Sequence, residues 1–228
     1  MTDSRKNLFC SKDITIYAIR TGKGARGKQV PQEILGDDFD GVLIVDGLAS
    51  YDALECSKGR CVGHLLRRAS EMSESAAPND ARYLAKLTQS FQDAIDLDAR
   101  REKLSDEEFT RGVEQIEERL SQWLTFYGYN PSEQMHTLVR HLRRYRDEWL
   151  TFLYVPEAEP TNNRAERMLR PSLAVRKIGG CNKTLKGALV HEVLASLMVT
   201  CRQRGKDFLE MAKVLWCSPE TTTAPVLG

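Results

Sequence analysis

The chain has 228 residues, enough for one large domain or for a domain that carries a sizeable insertion, and it can bury a core without covalent crosslinks. Apolar residues make up 41% and charged residues 29% of the sequence, a balance that excludes a disordered chain. The 33 basic and 32 acidic residues nearly cancel, so the net charge indicates no partner. The six cysteines lack disulfide-framework spacing and the N-terminus has no secretory apolar run, which favours a reduced, cytoplasmic protein.

The first elements are short. Residues 1–13 are polar, and we expect them to be disordered, whereas Ile14–Ile19 alternates branched and small residues as a strand does. The basic, glycine-rich stretch 21–28 lacks the ending of a phosphate-binding P-loop, so it is interpreted as a plain loop. A short helix is predicted over Pro31–Leu35.

Gly41–Val45 is a continuous apolar run, typical of a strand buried on both faces, and it ends on Asp46-Gly47. In open α/β sheets the chemistry gathers at the carboxyl ends of such strands, which makes Asp46 a candidate metal ligand or acid–base group. A turn-forming Asp-Gly pair is the equally open alternative.

Cys61 and His64 have the spacing of half a zinc site, but no second pair of ligands accompanies them. Two interpretations stay open: a structural zinc, or a packed thiol with a hydrogen-bonded imidazole beside Arg67 and Arg68. The second is favoured.

From Asp80 to Phe152 the apolar spacing becomes helical and predicts about three helices. Ser105 and Glu108 have the spacing of a capping box at the start of the second helix. The longest apolar run, Leu189–Cys201, is too short and too polar to span a bilayer, so no membrane segment is expected.

The segment Thr161–Pro171 places Glu166 among arginines at a predicted helix start. Its surroundings, residues 162–186, hold seven basic residues and one acid, so an anionic polymer is drawn to this part of the chain. Taken alone, the segment favours a solvated helix-terminal acid at Glu166 paired with Arg170, and the surrounding sequence shifts the interpretation towards a site.

With these motifs in hand, the sequence resembles the IS66-type transposases, a branch of the DDE transposases. The resemblance runs from about Ile14 to Leu215. It is carried by Asp46-Gly47 with Tyr51, by the Cys61–His64 segment with its arginines, by Asn162–Pro171 and by the helix Ala188–Arg204.

The resemblance implies an α/β fold that is helix-rich overall: a ribonuclease H-like core with an incomplete sheet, interrupted by an all-α insertion. The implied organisation is core at 14–70 and 156–216, insertion at 71–155 and a disordered tail at 217–228. Asp46 is implied as the second acid and Glu166 as the third acid of a catalytic triad that binds Mg²⁺ or Mn²⁺ and performs two-metal phosphodiester chemistry. The implied DNA contacts are Arg164, Arg167, Arg170, Arg176 and Lys177.

The sequence departs from the family pattern at the first acid. No Asp-Glu-Thr-like segment precedes Ile14, and Asp13 is a poor substitute because it lies before a strand. We therefore expect an N-terminally truncated or split transposase that is inactive alone, in a bacterial, nucleoid-associated setting, binding transposon ends as a homo-oligomer or with another transposase polypeptide. The alternative is a non-catalytic DNA-binding or oligomerising remnant; an unrelated phosphohydrolase built on Asp46 is the weakest hypothesis.

Overall fold

Two short strand pairs and a series of helices make up the computed structural model, which describes residues 4–10, 15–21, 29–36, 38–47, 51–125, 131–170 and 184–217. The strands are β1 (Ser4–Cys10), β2 (Thr15–Thr21), β3 (Val42–Val45) and β4 (Ser57–Arg60). The helices of the first two-thirds are α1 (Gln29–Leu35), α2 (Val62–Ser73), α3 (Pro78–Ala99), α4 (Asp106–Thr125), α5 (Glu133–Arg144) and α6 (Thr151–Tyr154). They are followed by α7 (163–170), α8 (Leu185–Gln203) and α9 (Phe208–Cys217).

The chain divides into two compact units. The first unit comprises residues 1–38, 52–54 and 163–228, and the second comprises residues 39–51 and 55–162. The second unit thus groups β3, β4 and α2 with the predicted helical block. Compactness does not reveal which segment was inserted into which, so the predicted insertion at 71–155 stays a prediction.

A single apolar core joins the helices of the second unit. Leu84, Leu87 and Phe91 of α3 are almost fully buried, and they meet the inner faces of α4 and α5. These residues recur every three or four positions, which is the spacing that places them on one face of a helix. The three helices predicted between Asp80 and Phe152 are confirmed as α3, α4 and α5.

The predicted capping box at the start of α4 is also confirmed. The backbone N–H of Ser105 donates to Glu108 Oε2 at 2.9 Å, and the Glu108 N–H donates to Ser105 Oγ at 3.3 Å. Two N–H groups that the first helical turn leaves without partners are thereby satisfied.

The parallel pair β3–β4 rests on the helical part of the second unit. Its register places Val42 opposite Ser57 and Val45 opposite Arg60. Thr151, at the start of α6, donates its hydroxyl to the carbonyl of Lys58 at 2.8 Å. A Cβ atom on Gly59 would lie 2.7 Å from Ile44 Cδ1 and 3.5 Å from Thr151 Cβ, so only glycine fits there without displacing a neighbour.

The first unit contains the antiparallel pair β1–β2, with α8 packed against β2. The sequence predicts disorder over residues 1–13, which is wrong for Ser4–Cys10. That strand begins with polar residues and lacks apolar alternation, but its backbone pairs with β2 from Ser4–Thr21 to Cys10–Thr15. Backbone hydrogen bonds of this kind leave no trace in a hydropathy pattern.

Several other predictions can be placed. The predicted strand Ile14–Ile19 corresponds to β2, the strand Gly41–Val45 to β3 and the helix Pro31–Leu35 to α1. Asp13, the glycine-rich residues 22–28 and the tail beyond Cys217 lie outside the described residues. Among the helices in the described ranges, none is both long and apolar enough to cross a membrane.

Candidate functional site at the carboxyl end of β3

Asp46 lies directly after β3, where the strand leaves the interior. Val45 is only 2% exposed, whereas the next residue, Asp46, is exposed. Gly47 then takes a φ of +96°, a left-handed conformation that glycine adopts without steric cost and that turns the chain away from the strand. The strand-end position expected for Asp46 is therefore confirmed, and its carboxylate faces solvent.

Tyr51 shares the surroundings of Asp46. Burial raises the pKa of the Tyr51 phenol, and the negative charge of Asp46 raises it further. The phenol consequently keeps its proton at neutral pH, and it presents a neutral hydroxyl near the Asp46 carboxylate.

A cleft of about 380 Å³ opens beside Asp46 within the second unit. One wall is the first half of α2, which contributes His64, Arg67 and Arg68. His141 and Trp149 also line the cleft, and their rings meet edge to face at 5.6 Å. The cleft thus places the carboxylates of Asp46 and Glu71, the guanidinium groups of Arg60, Arg67 and Arg68 and an aromatic surface around one space.

The end of β4 is held by a buried cation. Arg60 is 2% exposed; its Nε donates to Glu148 Oε2 at 2.6 Å, and its guanidinium lies 3.7 Å from the centre of the Tyr145 ring. A charge removed from water needs such partners, since desolvation otherwise destabilises it. Arg60 therefore anchors β4 to the helical core directly before Cys61.

Cys61 and His64 form a hydrogen-bonded pair, as the favoured sequence interpretation expects. His64 Nδ1 lies 3.2 Å from Cys61 Sγ, and the thiol donates to Asn162 Oδ1 at 3.0 Å. Over the ranges that the structure describes, no three His, Cys, Asp or Glu side chains gather as metal ligands do.

Glu166 and its arginines lie on α7, in the first unit. Glu166 and Arg164 are half-buried, while Arg167 and Arg170 are exposed. Arg176 and Lys177 lie outside the described residues. The expected convergence of Glu166 with Asp46 joins two different units, and it stays a prediction.

Comparison with known families assigns the chain. The sequence model described as "Transposase IS66 family", a DDE transposase model, matches residues 1–189. The chain belongs to the IS66 family of transposases. No curated protein and no solved structure matches it.

Two features of this IS66-family chain have no counterpart in the sequence pattern. The contact between Cys61 and Asn162 spans 101 positions, and a hydrogen bond of that separation leaves no local spacing to detect. Trp149 belongs to a helical apolar stripe, and His141 flanks it. The spacing of the stripe predicts a core position, so it does not indicate that both side chains line the cleft.

Proposed function

We propose that this IS66-family chain is built for DDE-type DNA transposition, in which DNA is cleaved and joined by two-metal phosphodiester chemistry on a ribonuclease H-like core. Asp46 acts as the second acid and Glu166 as the third. The observation that carries the proposal is the exposed Asp46 at the carboxyl end of the parallel strand β3, in a cleft that also holds Arg67 and Arg68. Chemistry gathers at such strand ends in α/β folds.

The donor set fits Mg²⁺ or Mn²⁺. Asp46 offers hard oxygen atoms to solvent, and Glu166 on α7 offers two more from a half-buried side chain. When bound, these ions supply activation of the attacking oxygen and charge stabilisation of the leaving oxygen. The proposal needs both carboxylates to serve the same ions.

The DNA is held by cations. Arg164, Arg167 and Arg170 on α7, together with Arg176 and Lys177, neutralise backbone phosphates and position the strand without reading its sequence. In the second unit Arg67 and Arg68 provide the same chemistry close to Asp46. A phosphate bound between Arg67 and Arg68 would lie beside the carboxylate of Asp46, which the reaction uses.

The first test is metal binding. Mn²⁺ affinity is measured by isothermal titration for the unmodified chain, for Asp46→Asn and for Glu166→Gln, with Glu71→Gln as a matched control for a carboxylate that lines the cleft without an assigned role. Both acid variants are expected to lose affinity while the control keeps it. Equal Mn²⁺ affinity in all four proteins would refute the shared site.

The second test is catalysis. With two of the three acids assigned, we expect no strand transfer or cleavage by this chain alone with Mg²⁺ or Mn²⁺. Two-metal chemistry depends on close placement of the reacting atoms, and about 1 Å of misplacement lowers the rate on the order of a hundredfold. If the chain is active and Glu166→Gln is inactive, another acid completes the site and the expectation of inactivity is wrong.

A second candidate function is a non-catalytic, oligomerising transposase remnant. It is favoured by α8, which exposes large apolar side chains along its length: Leu189 is 59%, Val193 59% and Met198 51% exposed. Apolar surface of this extent is typical of an interface. Leu189→Asp with Val193→Asp is expected to convert an oligomer to a monomer in analytical ultracentrifugation; an unchanged mass would remove this support.

A further inference from the structure

The Cys61–His64 motif meets the segment that leads into α7. Cys61 Sγ donates to Asn162 Oδ1 at 3.0 Å and accepts from the Asn162 backbone N–H at 3.3 Å. Beside this pair, the Val62 N–H donates to the Pro160 carbonyl at 2.9 Å. We call Cys61, His64 and Asn162 the thiol clasp.

The thiol clasp is closely packed. Cys61 is 3% exposed, so its hydrogen bonds are shielded from competing water. A Cβ atom on Gly63 would lie 3.4 Å from Thr161 Cγ2, which shows how near the first turn of α2 comes to this segment. His64 lies one turn along α2, and its Nδ1 is 3.2 Å from the same sulfur. This contact limits the rotamer of the Cys61 side chain.

The thiol clasp is also tied to the strand that presents Asp46. The Cys61 N–H donates to the Val45 carbonyl at 2.9 Å, and Val45 immediately precedes Asp46. One residue, Cys61, is therefore hydrogen-bonded to the neighbour of the second acid and to Asn162, four positions before the third acid.

We infer that Cys61, His64 and Asn162 are positioning residues, whose clasp holds residues 160–162 against the end of β3 and so orients the Asp46 carboxylate for the metal ions. The inference rests on the proposed metal site. It gives the Cys-x-x-His motif a role that needs no metal of its own: the sulfur acts as a central hydrogen-bonding group. A thiol suits this role because it can donate and accept at once.

The test combines two measurements on Cys61→Ala, Cys61→Ser, Asn162→Ala and the double variant Cys61→Ala with Asn162→Ala. Cys56→Ala is the matched control, because Cys56 is a half-buried thiol five positions upstream and outside the clasp. Hydrogen exchange of the peptide 158–166 reports the clasp without any metal. Mn²⁺ affinity reports the orientation of the Asp46 carboxylate, and the unfolding midpoint of each variant reports the fold.

Each alanine variant is expected to speed exchange at 158–166 and to weaken Mn²⁺ binding by about tenfold, the equivalent of roughly one hydrogen bond to a buried group. The double variant should be no worse than either single one, since both remove the same contact. Cys61→Ser should recover part of the affinity, because a hydroxyl can also donate and accept. Cys56→Ala should match the unmodified chain.

Three results would overturn the inference, and they are distinguishable. In the first result, the clasp variants exchange faster but keep their Mn²⁺ affinity, whereas Asp46→Asn and Glu166→Gln lose Mn²⁺ affinity. The proposed function then stays intact, and the clasp is only a structural contact. Mn²⁺ affinity that is insensitive to Asp46→Asn and Glu166→Gln removes the shared metal site and the positioning role with it. Stoichiometric Zn²⁺ binding that Cys61→Ala abolishes and Asn162→Ala preserves makes Cys61 a zinc ligand instead.

Discussion

Replacing Glu148 by alanine is expected to destabilise the second unit more than the loss of an ordinary salt bridge. The side chain of Arg60 is 1% exposed, and that of Glu148 is 26% exposed. Removing one member of a buried ion pair costs about 3–5 kcal/mol, and partial access of water to Glu148 lowers this to about 2–3 kcal/mol. Much of the loss is the desolvated charge that Arg60 keeps after its carboxylate is gone.

A second substitution separates that cause from simple loss of packing. Arg60→Met removes the buried charge and keeps an apolar stem against Tyr145. In the double variant with Glu148→Ala, we expect recovery of about 1–2 kcal/mol relative to Glu148→Ala alone, because no uncompensated charge stays inside. A second mutation that restores stability is a result that packing loss alone does not produce.

Urea unfolding followed by tryptophan fluorescence is a suitable assay. Trp123 and Trp149 both lie in the second unit, and Trp216, 91% exposed on α9, is the remaining tryptophan. A Trp216→Phe background therefore restricts the emission to the second unit. The expectation is wrong if Glu148→Ala lowers the free energy of unfolding by less than about 1 kcal/mol, or if this loss falls with rising ionic strength. The Arg60–Glu148 pair would then behave as a surface salt bridge.

Three further predictions concern DNA, pH and capping. The double variant Arg167→Ala with Arg170→Ala should lower the salt slope of DNA binding by about 2, since each lost phosphate contact removes about 0.9. The control is Arg140→Ala, which replaces an exposed arginine of α5. An equal slope in all proteins would assign the α7 arginines to structural pairing. Burial and the hydrogen bond that Tyr154 donates to a glutamate of α4 raise the Tyr154 pKa to about 12, so its stabilisation is complete below the unfolded phenol pKa of about 10 and is lost as the pH rises through the folded value. Unfolding at increasing pH should therefore show a loss that Tyr154→Phe lacks, and identical curves would contradict the contact. Ser105→Ala should lower the free energy of unfolding of the second unit by about 1 kcal/mol in urea titrations, and a neutral effect would show that the capping box contributes nothing.

The sequence predicts the helical part of the fold well because burial on one helix face imposes a spacing. Leu84, Leu87 and Phe91 recur at that spacing and are buried, and the capping box at Ser105 marks the start of α4. The strand before Asp46 is equally visible as an apolar run, but the prediction that it is buried on both faces is wrong: Val45 is buried, whereas Val42, Leu43 and Ile44 are half-buried in a sheet with only two strands among the described residues.

The strands β1 and β4 could not be predicted from such patterns. Ser57–Arg60 is polar in sequence, yet it pairs with β3, and its burial increases along the strand to Gly59 and Arg60. An arginine buried by a partner 88 positions away gives no local indication of its role. The same holds for the candidate site: Asp46 and Cys61 can be identified as candidates, but the hydrogen bond that gives Cys61 its connection to Asn162 exists only in three dimensions.

The contact between β4 and α6 limits the changes of sequence that this protein can accept during evolution. The carbonyl of Lys58 accepts from the Thr151 hydroxyl, and a Cβ atom on the next residue, Gly59, would lie 2.7 Å from Ile44 Cδ1 of β3. A helical block that drifted in length or tilt would carry Thr151 with it and pull on the strand beside Asp46. We therefore expect insertions to accumulate in the connections far from α6. A change in the tilt of the helical block would thus reach the strand pair that presents Asp46.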